Sequence, residues 1–308
     1  MSANSAGLRG KEFGKEKFRI LTIGTSIFDQ DGTDDSRTWQ SVLEAELRKE
    51  NFDVRVFDAS SNGTPTSSRV LRVHDSLKSR NYDLILINVP VFGNIRLDDR
   101  DIFRNISLPD WKNQNFSLFD NAAVNRFSNW WKYSIVRILG LDFDYQDFLT
   151  GKEKYLRLQE ECSRNNLNID LDSIKGLKAN YEAALMDFEK SAYIKPSNTI
   201  LVPHIHSSLY LSESEMHGLG CMNVRMPDNS EKGLGYRQTK DLIAWENNTF
   251  RLLAKKHSFT TIPYESFSPM ENSDFWDQHH LTPMGSRKMA ARLLGPVQEY
   301  LKKLNKAP

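Results

Sequence analysis

The sequence predicts an α/β fold, a three-layer α/β/α sandwich around a five-stranded parallel sheet. Two observations predict it. Short apolar runs recur along the chain, and stretches with helical spacing lie between them. The rhythm breaks once, at a long aromatic stretch that reads as a helical insertion.

Phe18 to Ile23 is apolar and ends at Gly24, which suits a buried strand. Ser36 to Lys49 places Trp39, Val42, Leu43 and Leu47 near helical spacing. Phe52 to Phe57 alternates as a second strand. Ser67 to Ser79 carries Val70, Leu71, Val73 and Leu77 as a second helix. Tyr82 to Val91 is a third strand, apolar enough to be buried on both faces. The insertion spans about 95–198 and includes Trp111, Trp130, Trp131, Phe143 and Phe148. It packs a small core of its own, or caps an apolar acyl or sugar pocket. Leu177 to Phe188 reads as a helix leading back to the sheet, and Thr199 to Pro203 as a fourth strand. Ser207 to Arg237 is polar and aperiodic, a long loop or lid. Thr239 to His257 is a helix and Phe259 to Ile262 a fifth strand. Thr282-Pro283 opens a last helix, a Thr N-cap followed by Pro at the first position. The expected organisation is a flexible tail over 1–17 and a single domain over 18–308.

Bulk properties narrow the function classes. The chain has 308 residues, 39% hydrophobic and 26% charged, as in an ordinary globular protein. A net charge of +1 asks for no nucleic acid and no anionic membrane partner. Cys162 and Cys221 are too few for a disulfide framework and read as free thiols. The N-terminal segment lacks the apolar run of a signal peptide, and no stretch approaches the ~20 apolar residues of a membrane span. A cytoplasmic chain is the expectation.

In an open parallel sheet, ligands sit at the carboxyl ends of the strands. Ser26, in Gly24-Thr25-Ser26, follows the first strand there. A serine needs a base within reach and a third group to hold that base. Asp277-Gln278-His279-His280 supplies both, since a carboxylate three residues before a histidine can fold back onto the ring. His279 is the competing ring, and spacing leaves both open. Gly63, after the second strand, could present an N–H to a tetrahedral oxyanion, and Asn94, after the third, an amide. Asn88 is the alternative amide. His204 and His206 follow the fourth strand and are candidate substrate contacts; no clear third ligand accompanies them as a metal site.

These four blocks resemble the SGNH (GDSL-type) hydrolases. Gly24-Thr25-Ser26 is similar to the family's first block, although Thr25 stands where the family has Asp. Gly63, with Pro65 and Ser68, is similar to the second. Phe92-Gly93-Asn94-Ile95 is a looser likeness of the third. Asp277-x-x-His280-Leu281-Thr282-Pro283 is the most specific match. The resemblance covers about 18–94 and 198–300. It implies a flavodoxin-like sheet and ester hydrolysis through an acyl-enzyme. Ser26 would be the nucleophile, His280 the base and Asp277 its orienting acid. The N–H groups of Ser26 and Gly63 and the amide of Asn94 would form the oxyanion hole, without metal or cofactor. The expected substrate is a small-molecule or glycan ester. Two other readings stand beside it: an acyltransferase using the same serine, and a carbohydrate-binding module that has lost activity. A nucleotide binder is disfavoured, because no phosphate-cradling loop is visible.

Overall fold

A computed structural model describes residues 4–30, 33–60, 80–88, 182, 185–186, 193–216 and 234–306, with the backbone alone at 95–96, 223–225 and 231–233. The expected helix at 67–79, nearly all of the insertion, both cysteines, Gly63 and Asn94 lie outside the described residues.

Five strands form the main sheet: β1 (Phe18–Ile23), β2 (Val54–Asp58), β3 (Leu84–Asn88), β5 (Thr199–Val202) and β8 (Thr260–Thr261). Their order is β2-β1-β3-β5-β8, and every pairing is parallel. This is the flavodoxin-like order of a doubly wound sheet, so the α/β fold class holds. β3 sits at the centre and all five of its residues are buried, as a strand covered on both faces requires.

Period-two alternation divides the strand side chains between two cores. Ile20, Val54, Val56, Leu84, Leu86 and Val202 face one side. There they meet α2 (Trp39–Lys49) through Trp39, Leu43 and Leu47, and the C-terminal helix α4 (Pro283–Lys306) through Met289, Leu293 and Val297. Leu21, Ile23, Ile85, Ile87 and Leu201 face the other side, against Phe250, Leu253 and Ala254 of α3 (Tyr236–Lys256). Helices therefore cover both faces, which completes the three layers.

Caps set the helix boundaries. Thr38 accepts the Ser41 amide and opens α2 at Trp39, later than the apolar spacing suggests. A separate 3₁₀ turn holds Asp35–Arg37. Gly235, whose amide is taken by the Gln238 side chain, starts α3 three residues before the expected Thr239. The expected Thr282 cap forms: its hydroxyl accepts the amides of Met284 and Gly285, both at 3.2 Å.

Two expectations are corrected. The stretch read as a long loop over 207–237 contains a 3₁₀ turn at Ser207–Leu209 and the strands β6 (Asn223–Arg225) and β7 (Glu231–Gly233). With β4 (Ile95–Arg96) these form a second sheet of three strands, so the region expected to be helical begins with a strand. They are too short for periodicity to reveal.

The segment before β1 is not a free tail. Arg9 exchanges two backbone hydrogen bonds with Asp58 at the end of β2, and Leu8 is buried. Phe13 stacks on Phe57 with ring centroids 4.0 Å apart. The buried Arg9 guanidinium donates to the carbonyls of Asp29, Gln30 and Thr33 and to the Asp35 carboxylate. A glycine-rich polar sequence hides this, because the arginine's partners lie twenty or more residues away.

Replacing Arg9 with Ala would orphan those carbonyls. Arg9→Ala is expected to lower stability by about 2–4 kcal/mol, read from urea unfolding. A change under about 0.5 kcal/mol, usual for an exposed site, would mean the segment is not held.

Candidate active site

Ser26 opens α1 (Ser26–Asp29), a four-residue helix just past the carboxyl end of β1. Thr25 is its N-cap in an extended conformation, and the Thr25 hydroxyl is buried with no hydrogen-bond partner among the described residues. Gly24 makes the turn possible. A Cβ there would stand 2.8 Å from Phe28 Cβ and 3.0 Å from Asn88 Cβ, so only glycine lets β1 and β3 end side by side beneath α1. The Ser26 side chain stays partly exposed.

The Asp277–His280 segment is a closed loop. Phe275 and Leu281 form an antiparallel bridge, and the Trp276 amide donates to the His280 carbonyl at 2.8 Å. Inside it, Asp277 Oδ1 accepts the backbone amides of His279 and His280, both at 2.9 Å. Asp277 Oδ2 meets His280 Nδ1 at 2.6 Å. Of the two rings that spacing left open, the carboxylate holds that of His280.

Electrostatics then assigns the tautomer. Burial alone would push the Asp277 carboxyl up. The His279 and His280 rings and the backbone amides override it and hold the group well below the usual carboxylate range. An ionised carboxylate only accepts, so His280 Nδ1 carries a proton, and Nε2 is the nitrogen that holds the lone pair whenever the ring is neutral. The His280 side chain is 24% exposed, enough to reach a substrate from the rim.

Ser26 and the Asp277–His280 loop meet the same edge of the sheet. The Ser207 amide and hydroxyl donate to the Gln278 carbonyl at 2.8 and 2.9 Å, which seats the loop just beyond the end of β5. Across the sheet, Gln30, the C-cap of α1, donates to Ser286 Oγ at 2.6 Å in the first turn of α4. The same side chain accepts the Trp39 amide at 2.9 Å. Gln30 thus ties the helix that starts at Ser26 to the helix that follows His280. The two residues are 256 positions apart, and no local sequence signal marks them.

His204 and His206, read as substrate contacts, sit behind the loop. Each is 1% exposed. His204 Nδ1 pairs with Glu246 at 2.8 Å, and Asn247 clamps the His204 backbone at both N–H and C=O. His206 Nδ1 accepts the Ser208 amide at 3.2 Å, so its Nε2–H faces Gln278 Oε1 at 3.3 Å. His206 thereby braces the loop through Gln278, while His204 is held against α3 by Glu246. Asn88, the alternative amide for the third block, is also committed: its Nδ2 approaches the carbonyls of Val202 and Pro203 at 3.5 and 3.3 Å.

No protein-family model matches the chain, and no curated protein matches it. Among solved structures it is similar to an acetyl xylan esterase, at 13% identity and a TM-score of 0.46, over 91% of this chain and 100% of that one. It is also similar to TesA, at 15% identity and a TM-score of 0.43, over 93% and 99%. A lipase/acylhydrolase from Enterococcus faecalis shares 12% identity at a TM-score of 0.45, over 92% and 96%. The fold assignment rests on the strand order itself rather than on likenesses this distant.

Two expectations follow from this geometry. A Cβ on Gly285 would lie 2.2 Å from the Asp274 carbonyl oxygen, at the base of the loop. Gly285→Ala should cost about 1–3 kcal/mol in thermal or urea unfolding; an unchanged midpoint would show that the base can yield. The second concerns pH. Burial, then His280, lowers the His279 pKa from 6.5 to about 3, and burial lowers that of His206 well below its ordinary value. Above about 6.5 neither folded nor unfolded histidine binds a proton; below it only the unfolded one does, so stability falls as pH drops from 6.5 toward 3. Asp277, whose folded value is depressed, adds a loss at still lower pH. His279→Leu should flatten the slope between pH 6 and 4, and an unaltered slope would show that His279 does not titrate this way.

Proposed function

We propose that the chain is a serine esterase that hydrolyses an O-acyl ester, on a sugar or another small alcohol, through an acyl-enzyme. One observation carries the reading. The Asp277 carboxylate holds the partly exposed His280 imidazole by Nδ1, in a loop at the sheet edge where Ser26 opens a helix. The resemblance of the sequence blocks to the SGNH hydrolases supports it.

In this mechanism Ser26 Oγ attacks the acyl carbonyl carbon while His280 Nε2 takes the hydroxyl proton. The carbonyl π electrons move onto oxygen, and the oxyanion is held by the N–H of Ser26, with Gly63 N–H and the Asn94 amide as the further donors. Collapse of this intermediate breaks the bond to the alcohol oxygen, which leaves with the proton from His280. Water then attacks the acyl-serine by the same route, releasing the acid and restoring Ser26. Asp277 stays ionised throughout and stabilises the imidazolium at each step.

A fluorophosphonate probe tests the nucleophile. Wild type should be labelled and Ser26→Ala should not, with hydrolysis of p-nitrophenyl acetate falling by roughly 10⁵-fold or more. Asp277→Asn should lower kcat by about 10³–10⁴-fold while the protein stays folded, because the amide stabilises the wrong ring tautomer. Equal labelling of wild type and Ser26→Ala would dismiss Ser26. A folded wild type that takes no label would favour a binding module instead. Faster release of the acyl group to an added alcohol than to water would make the enzyme a transferase.

A further inference from the structure

The proposed mechanism uses Asp277 and His280 and leaves the ring between them unemployed. We propose that Asp277, His279 and His280 together form a binding site for a divalent cation of the zinc class, which silences the base when it binds. A potential ligand atom from each residue lies within 4.8 Å of those from the other two. Among the described residues, these three make up the group of such geometry. One carboxylate and two imidazoles are the donor set that zinc and its neighbours take, with the fourth position left to water.

His279 is suited to the part. Neither of its ring nitrogens makes a hydrogen bond among the described residues, so a lone pair is free for a cation. Its ring lies 4.4 Å from that of His280, tilted by 58° rather than stacked, so both can turn an edge toward one ion. Ligand atoms around zinc at about 2.0–2.1 Å stand closer together than 4.8 Å, so binding draws the three inward by small side-chain rotations. Exposures of 24% for His280 and 15% for Asp277 leave an approach from solvent.

The cation and the catalytic proton exclude each other. Binding takes the Asp277 oxygen that now accepts from His280 Nδ1, and one lone pair from each of the His279 and His280 rings. An imidazole so engaged cannot take the Ser26 proton and return it to the leaving alcohol. The ion is therefore a regulator of the site and no part of turnover. This consequence for activity rests on the proposed esterase reading; the binding itself does not.

The test uses the full chain, stripped with a chelator, and Zn²⁺ alone as probe. Calorimetry should find one strong equivalent on wild type. His279→Leu should weaken it at least about 10–100-fold. His279→Gln, which keeps a polar group in the loop, should weaken it in the same way and guards against misfolding of the leucine variant. Saturating Zn²⁺ should suppress p-nitrophenyl acetate hydrolysis by wild type at least about tenfold, reversibly on chelation. The His279→Leu enzyme should need at least about tenfold more Zn²⁺ than wild type for the same fractional suppression of its own metal-free rate. Calorimetry reads the site without catalysis, so strong binding by a protein that hydrolyses no ester would sink the esterase reading and leave the site intact. Equal affinity in wild type and both His279 variants, or no binding to folded wild type, would overturn the site.

Discussion

Everything proposed for this protein depends on the Asp277 carboxylate being fully engaged. Its two oxygens accept from two backbone amides and one imidazole. A buried carboxylate without such donors would rise in pKa and take up a proton. With them it stays ionised, orients the His280 ring and fixes which nitrogen carries hydrogen. The loop is bent by the same bonds that charge it, so its local structure and its chemistry share one cause.

That loop would be worth little if it were free to swing. Its base is pinned where Gly285 passes under the Asp274 carbonyl and where the buried Asp274 side chain meets Lys288 at 2.6 Å. Its outer side is held by Ser207 and His206 through Gln278. The Ser26 side of the cleft has its own brace. Arg9 binds the carbonyls at the end of α1, and Gln30 carries that order across to α4. Preorganisation of this kind is what the proposed reaction between Ser26 and His280 would require. The buried histidines behind the loop serve the same end.

His279 shows why one residue can serve a site without joining its reaction. It occupies the position beside the base, lacks a carboxylate partner, and stays neutral because burial removes the advantage of charge. In the proposed mechanism His279 neither donates nor takes the catalytic proton. It does offer a lone pair, the one thing a soft cation needs.

The sequence by itself determined the parallel α/β architecture and placed the Asp277 carboxylate within reach of a histidine ring, His279 or His280. Strand burial and helical periodicity are local properties, and a fold-back over three residues needs only local bonds. The Thr282 cap and the glycine after β1 were legible for the same reason. Tertiary structure alone decided between His279 and His280, since both are spaced to reach the acid and only backbone curvature selects one. It alone moved His204 and His206 from the cleft to the support behind it, because Glu246 and Gln278 are distant in the chain. It alone found Arg9 and the Gln30–Ser286 bond. Those contacts join segments whose sequence separation carries no pattern, and burial of a polar side chain shows only once its partner has arrived.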